Sequence, residues 1–122
     1  MTARPHRERA TGIVVRDGLV LIALDVGVDF YFLPGGEIES GESPQEAMVR
    51  ELHEETGMAL TGSTFLFNHV GPNNYHYVFE IEADGEPTPR NEIEKLTWWD
   101  QRQYLSVHEH TKIILSKYQR LT

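Results

Sequence analysis

Apolar residues in this chain fall in short runs separated by glycine, proline and acidic residues, a pattern of strands broken by turns. Residues 11–15 and 19–24 are two such runs on either side of Asp17-Gly18, which predicts a hairpin. After a loop at 25–29, residues 30–33 read as a short aromatic strand stopped by Pro34-Gly35-Gly36. Residues 37–42 follow as a loop in which Gly41 permits a tight bend. A second pair of strands is predicted over 64–70 and 75–82, joined by Gly71-Pro72-Asn73-Asn74. Beyond a polar loop at 83–90, residues 93–99 read as the last strand. Its period of two sends one of Trp98 and Trp99 inward and the other outward.

Helical spacing appears twice. Ser43 suits an N-cap, Pro44 the first helical position, and Glu46 completes a Ser-x-x-Glu capping box. Ala47, Met48 and Leu52 then form an apolar side, and Gly57 suits a left-handed stop. Ser106 and Glu109 repeat the capping pattern ahead of a C-terminal helix with Ile114, Tyr118 and Leu121 as its apolar stripe. Strands mixed with two helices predict an α/β sandwich whose sheet is covered on both faces. There is no internal repeat, low-complexity stretch or linker, so residues 1–122 are expected to form a single domain.

Composition narrows the chemistry. The chain has no cysteine, which removes disulfides, thiolate metal sites and cysteine nucleophiles. Residues 1–10 are polar and basic, unlike a secretory signal, and the apolar run at 19–24 is too short to cross a bilayer. A cytoplasmic protein without membrane association is expected. The net charge of −8 argues against nucleic acid as a partner. It is compatible with a small phosphate-bearing ligand only if metal ions bridge the two negative surfaces.

The residues best placed to hold such ions are Glu51, Glu54 and Glu55. Steps of three and four put them on one helix face, where each like-charge pair costs about 0.2–0.5 kcal/mol. Glu54 and Glu55 also occupy the last turn before Gly57, where the helix dipole disfavours anions. A helix so poorly balanced by itself points to an external cation, and oxygen ligands point to a hard divalent one.

The spacing of Gly36, Glu42, Arg50, Glu51, Leu52, Glu54, Glu55, Gly57 and Met58 resembles the signature of the Nudix hydrolases at every fixed position. That resemblance implies an α/β/α sandwich with a mixed, partly curled sheet. It implies Mg2+ or Mn2+ as cofactor and a small nucleotide as substrate. The reaction would be hydrolysis of a nucleoside diphosphate linked to another moiety, as in nucleoside triphosphates, dinucleoside polyphosphates or nucleotide sugars. Glu51, Glu54 and Glu55 would be metal ligands, joined by the Gly35 carbonyl and by Glu92, with Glu94 as the alternative to Glu92. Glu54 or Glu51 would accept the proton of the attacking water.

Arg50 reads as structural, able to pair with Glu54 one turn later and Glu46 one turn earlier. Glu42 reads as a brace for the ligands rather than a ligand. Tyr75 lies 17 positions after Met58, where members acting on diadenosine polyphosphates carry a tyrosine. Tyr31, with Phe30 and Phe32, is a candidate for base stacking, although one of the three must face the core. His108-x-His110 lacks a third soft ligand, and His69 and His76 flank a loop near the expected site. The competing expectation is a Nudix-like sensor that binds a nucleotide without cleaving it. Either a monomer or a homodimer suits both readings.

Overall fold

Asp17 and Gly18 both take left-handed backbone angles, φ 53° and 77°, and so close the hairpin between β1 (Arg7–Arg16) and β2 (Leu19–Asp25). The computed structural model describes residues 7–121. The remaining strands are β3 (Gly35–Glu37), β4 (Ala59–Val70), β5 (Asn74–Asp84) and β6 (Ile93–Trp99), with helices α1 (Pro44–Thr56) and α2 (Glu109–Gln119). The sheet runs β4-β5-β1-β2-β6, and β3 pairs with β1 outside that order. The β1–β5 pair is parallel and the other pairs are antiparallel, so the sheet is mixed. Along one edge of β1, residues 9–11 pair with β3 and residues 15–16 with β2. The sheet therefore splits around this strand, as the predicted curled sandwich requires.

The aromatic segment 30–33 is not a regular strand. It makes only two isolated bridges, Ala23 with Phe32 and Tyr31 with Val107. The strand lies instead at Gly35–Glu37, in the glycines expected to end it. Gly35, at φ 144°, runs so close to β1 that a Cβ would lie 2.0 Å from the Ala10 carbonyl oxygen. Only glycine permits that approach. β1, β4 and β5 are also longer than the apolar pattern indicates. Pairing carries their polar ends into the sheet, and bulges near Leu60 and Phe65 break the alternation of β4.

Helix α1 forms from local signals. Ser43 Oγ accepts from Glu46 N–H, Glu46 returns the bond to Ser43 N–H, and Gly57 at φ 73° ends the helix. Helix α2 starts differently from the pattern at Ser106. His108 is its N-cap, with Nδ1 accepting from His110 N–H at 3.1 Å. The Ser106 carbonyl is used elsewhere, accepting from Tyr31 N–H at 2.8 Å, so the chain at Ser106 is bridged to the aromatic segment. The buried stripe is Thr111, Ile114 and Leu115, with Tyr118 packed against it and Leu121 57% exposed.

Each helix covers one face of the sheet. Ala47, Met48 and Leu52 of α1 meet Ala10, Val14, Leu21 and Ile81 on one side. Ile114 and Leu115 of α2 meet Ile13, Val20, Ile22 and Val78 on the other. Burying a side chain of this size contributes about 1.5–3 kcal/mol, so each helix is held by its packing more than by its propensity. Gly12 marks the closest approach of α1, since a Cβ there would meet Met48 Cε at 2.9 Å. Trp98 and Trp99 do point to opposite faces, but both faces are covered, so neither is directed outward into solvent. Among the described residues no helix is long and apolar enough to cross a membrane.

Candidate active site

The end of β3 meets the last turns of α1, and this junction gathers the acids. Gly35 N–H donates to Glu55 Oε1 at 3.0 Å, holding a carboxyl that is only 3% exposed. Gly36 makes room for Glu51, because a Cβ at residue 36 would lie 2.5 Å from the Glu51 carboxyl carbon. Glu54 is half-exposed on the outer side of the same helix.

Arg50 organises the other carboxylates. Its guanidinium binds Glu42 through two bonds of 2.7 and 2.9 Å, Glu51 at 2.6 Å and Glu54 at 3.4 Å, and donates to the Glu37 carbonyl at 3.1 Å. Glu46 takes no part, since its carboxylate is committed to the Ser43 cap. The expected Arg50–Glu46 pair is thus replaced by Arg50–Glu42, which braces the loop before the helix. Arg50 and the Glu39 N–H hold Glu42 down at about 2, while Glu42 and Glu51 raise the Arg50 pKa.

Burial works against the remaining acids. It pushes Glu55 up to about 8, opposed by Gly35 N–H and Arg9 and reinforced by the charges of Glu51 and Glu92. Burial also raises Glu51, against the pull of Arg50.

The loop after β5 brings Glu92 to this junction by capping the C-terminus of α1. Thr88 N–H donates to the Thr56 carbonyl (2.8 Å), Arg90 N–H to Glu55 (3.2 Å) and the Asn91 side-chain amide to Glu54 (2.7 Å). These bonds satisfy helix carbonyls left without partners and offset the negative end of the dipole. The Glu92 carbonyl accepts from Val26 N–H, which ties the loop to Asp25. Asp25 has a raised pKa from burial and from Glu92, and its Oδ1 is the one buried side-chain atom without a hydrogen-bond partner among the described residues. Glu94 is exposed on β6.

These groups match a hard divalent ion in chemistry, being carboxylates and a backbone carbonyl. The unfilled Asp25 oxygen and the buried Glu55 are the observations that call for positive charge. The carboxylates do not converge on one point: among the described residues no three His, Asp or Glu side chains are placed to hold an ion. Glu51 faces Arg50 and would have to turn from it.

Beside this junction a cavity of about 280 Å3 opens on the α2 face, with both Arg9 and Asp25 on its wall. Arg9 Nη2 donates to the Leu33 carbonyl at 2.9 Å and its Nε to Thr11 Oγ1 at 3.2 Å. Phe30 and Phe32 line the cavity. Tyr31 is 8% exposed and packed in the core, so it is the aromatic that faces inward. Tyr75 is not on the cavity wall; its ring lies edge-on to Tyr77 at 5.3 Å. Arg9, Asp25, Arg90 and Asn91 are not legible as site residues in the sequence. Asp25 alone carries a hint, as an acid at the end of a strand beside a glycine-containing loop.

The NUDIX domain matches residues 6–118. The Nudix hydrolase YvcI of Bacillus subtilis is 31% identical over 106 residues, covering 78% of this chain and 67% of that protein. An RNA pyrophosphohydrolase of Aeromonas hydrophila is 47% identical over 49 residues, 38% of this chain and 28% of that one. The chain thus spans between about a quarter and two thirds of these curated relatives. A crystal structure of a nudix hydrolase family member from Chromobacterium violaceum superposes with a TM-score of 0.85 at 34% identity, covering 94% of this chain and 77% of that one. With the family's domain matched over most of its length and the sandwich in place, this chain belongs to the Nudix hydrolase family.

Proposed function

We propose that the chain hydrolyses a pyrophosphate bond in a nucleoside diphosphate linked to another moiety, with Mg2+ or Mn2+ as cofactor. The observation that carries this reading is the buried Glu55 carboxyl, held by Gly35 beside Glu51 in a cluster short of positive charge. Glu51, Glu54, Glu55, the Gly35 carbonyl and Glu92 would hold the cation. A bound divalent ion would neutralise phosphate oxygens and lower the pKa of a coordinated water. Glu54 is the better candidate for base, because its contact with Arg50 is long and its carboxylate reaches solvent. Glu51, gripped at 2.6 Å, is the second candidate. Arg50 and Glu42 set the geometry of the acids, and Gly36 and Gly57 let the strand and helix end approach.

The names of two relatives support a nucleotide pyrophosphate as substrate: the RNA pyrophosphohydrolase above and an 8-oxo-dGDP phosphatase of Danio rerio, 33% identical over 86 residues. Nucleoside triphosphates, dinucleoside polyphosphates and nucleotide sugars are the classes to assay.

One observation favours the sensor reading instead: Glu51 is committed to Arg50, and no ligand set converges among the described residues. Turnover of a nucleotide panel with and without magnesium separates the two. Hydrolysis products that require magnesium are expected. Saturable binding with no product from any of the panel would leave the sensor standing.

A further inference from the structure

On the α2 face, four histidines gather beside the cavity: His69 from β4, His76 from β5, and His108 and His110 at the start of α2. The rings of His69 and His110 are 5.0 Å apart, and those of His69 and His76 are 5.6 Å apart. Their hydrogen bonds fix where the protons sit. Lys117 Nζ is 2.8 Å from His69 Nδ1. An ammonium can only donate, so His69 Nδ1 accepts and its proton is on Nε2. His69 Nε2 is 2.7 Å from His110 Nδ1, which must accept in turn, so the proton of His110 is on its own Nε2.

A second chain reaches His76. Arg9 Nε donates to Thr11 Oγ1, and the hydroxyl of Thr11, only 2% exposed, has His76 Nδ1 at 2.8 Å as the one acceptor for its own hydrogen among the described residues. His76 is therefore protonated on Nε2 as well. Burial holds His69 down at about 4 and His76 at about 3, with Lys117 and Arg9 adding to the effect, so both are neutral at pH 7. Neither His76 Nε2 nor His110 Nε2 has a protein partner among the described residues, and neither is sealed from solvent. Both residues line the cavity and flank Gly71, where an added Cβ would lie 3.6 Å from His76 Nε2 and 3.6 Å from His110 Nδ1.

We propose that His76 and His110 present these two N–H groups to the N7 and O6 acceptors of a 6-keto purine, so that the cavity selects guanine or hypoxanthine nucleotides over adenine ones. His69 and Lys117 are positioning residues that fix the His110 tautomer. The logic is complementarity: guanine offers two acceptors on that edge, whereas adenine offers one acceptor and an amino donor. Against adenine one histidine N–H would face another N–H and lose its bond. Phe30 and Phe32 supply apolar walls, and about 280 Å3 suits a base and sugar whose phosphates extend past Arg9 toward the acids. This inference rests on the nucleotide reading above.

Calorimetry on the full chain in chelator compares inosine and adenosine 5′-monophosphates, which differ at the 6-position. Inosine 5′-monophosphate is expected to bind about tenfold tighter or more, the size of one bidentate base contact. Ring 15N spectra should show His110 protonated on Nε2. Lys117→Met should scramble that tautomer and bring the two affinities close together, as should His76→Phe. Equal binding of the two nucleotides, no binding of either at millimolar concentration, or a wild-type His110 protonated on Nδ1 would each overturn the proposal, and the last needs no variant to fold. Turnover is read separately. Hydrolysis without base preference defeats this inference and spares the proposed reaction, and selective binding without hydrolysis does the reverse.

Discussion

Two groups of titratable side chains have Arg9 as a common neighbour: Glu51, Glu54 and Glu55 at the end of α1, and His69, His76 and His110 beside the cavity. Both groups take titratable side chains out of water, and both shed charge in response, Glu55 by rising to about 8 and His69 by falling to about 4. They differ in how their hydrogen bonds close. The histidines hand bonds along from Lys117 and from Thr11, leaving Nε2 of His76 and of His110 without a protein partner among the described residues. The carboxylates crowd around one guanidinium, that of Arg50, and leave an Asp25 oxygen with nothing. A network whose bonds fix the remaining N–H groups suits a neutral ligand with acceptors. One crowded with acids favours nearby positive charge.

The sharpest way to break the contrast is Glu54→Gln. It should cut magnesium-dependent turnover by about 10²–10⁴-fold, the range for a lost general base, with little change in unfolding temperature. Steady-state kinetics and a thermal melt check both halves, and near-wild-type rates would refute the role. Gly35→Ala comes next. A methyl 2.0 Å from the Ala10 oxygen forces β3 away from β1, at about 3 kcal/mol in urea unfolding. Gly36→Ala meets first the movable Glu51 side chain, so it should spare stability and weaken magnesium binding by calorimetry.

Arg50→Met is smaller, about 2 kcal/mol for lost charged hydrogen bonds that are partly exposed to water. Added magnesium should restore part of that loss if the acids lack only positive charge.

The gentlest test is pH. Between about 6.5 and 4 the unfolded chain protonates histidines that the folded chain keeps neutral, so His69 and His76 make stability fall on acidification. Glu55 acts with the opposite sign. From about 4.5 to 8 the metal-free folded chain keeps a proton that the unfolded chain has released, so stability falls as pH rises, by at most about 1.4 kcal/mol per pH unit. Urea titrations at several pH values should show Glu55→Gln losing the alkaline decline and keeping the acidic one.

Helix α1 is legible in the sequence because its signals are local: a cap, a proline and a terminal glycine within one short stretch. The acidic face is legible for the same reason. What escapes is set by distant pairing. Residues 30–33 look like a strand by composition, but β1 gives its edge to Gly35–Glu37. Ser106 carries a cap pattern, yet the bridge to Tyr31 commits its carbonyl and leaves the cap to His108. Arg50 can be assigned partners along its helix, but its strongest one, Glu42, sits on the preceding loop. Thr11 and His76 meet because β1 and β5 run parallel, across 65 residues that share no motif. No spacing rule reports such a contact.

The depth at which α1 sits on Gly12 ties two positions to one another through descent. A side chain at residue 12 fits only where the thioether at residue 48 withdraws, since its methyl carbon occupies that space at 2.9 Å. Lineages that acquire alanine at 12 should therefore carry a repacked residue 48, either a methionine turned away or a shorter side chain, with Ile81 at 3.2 Å giving way as well.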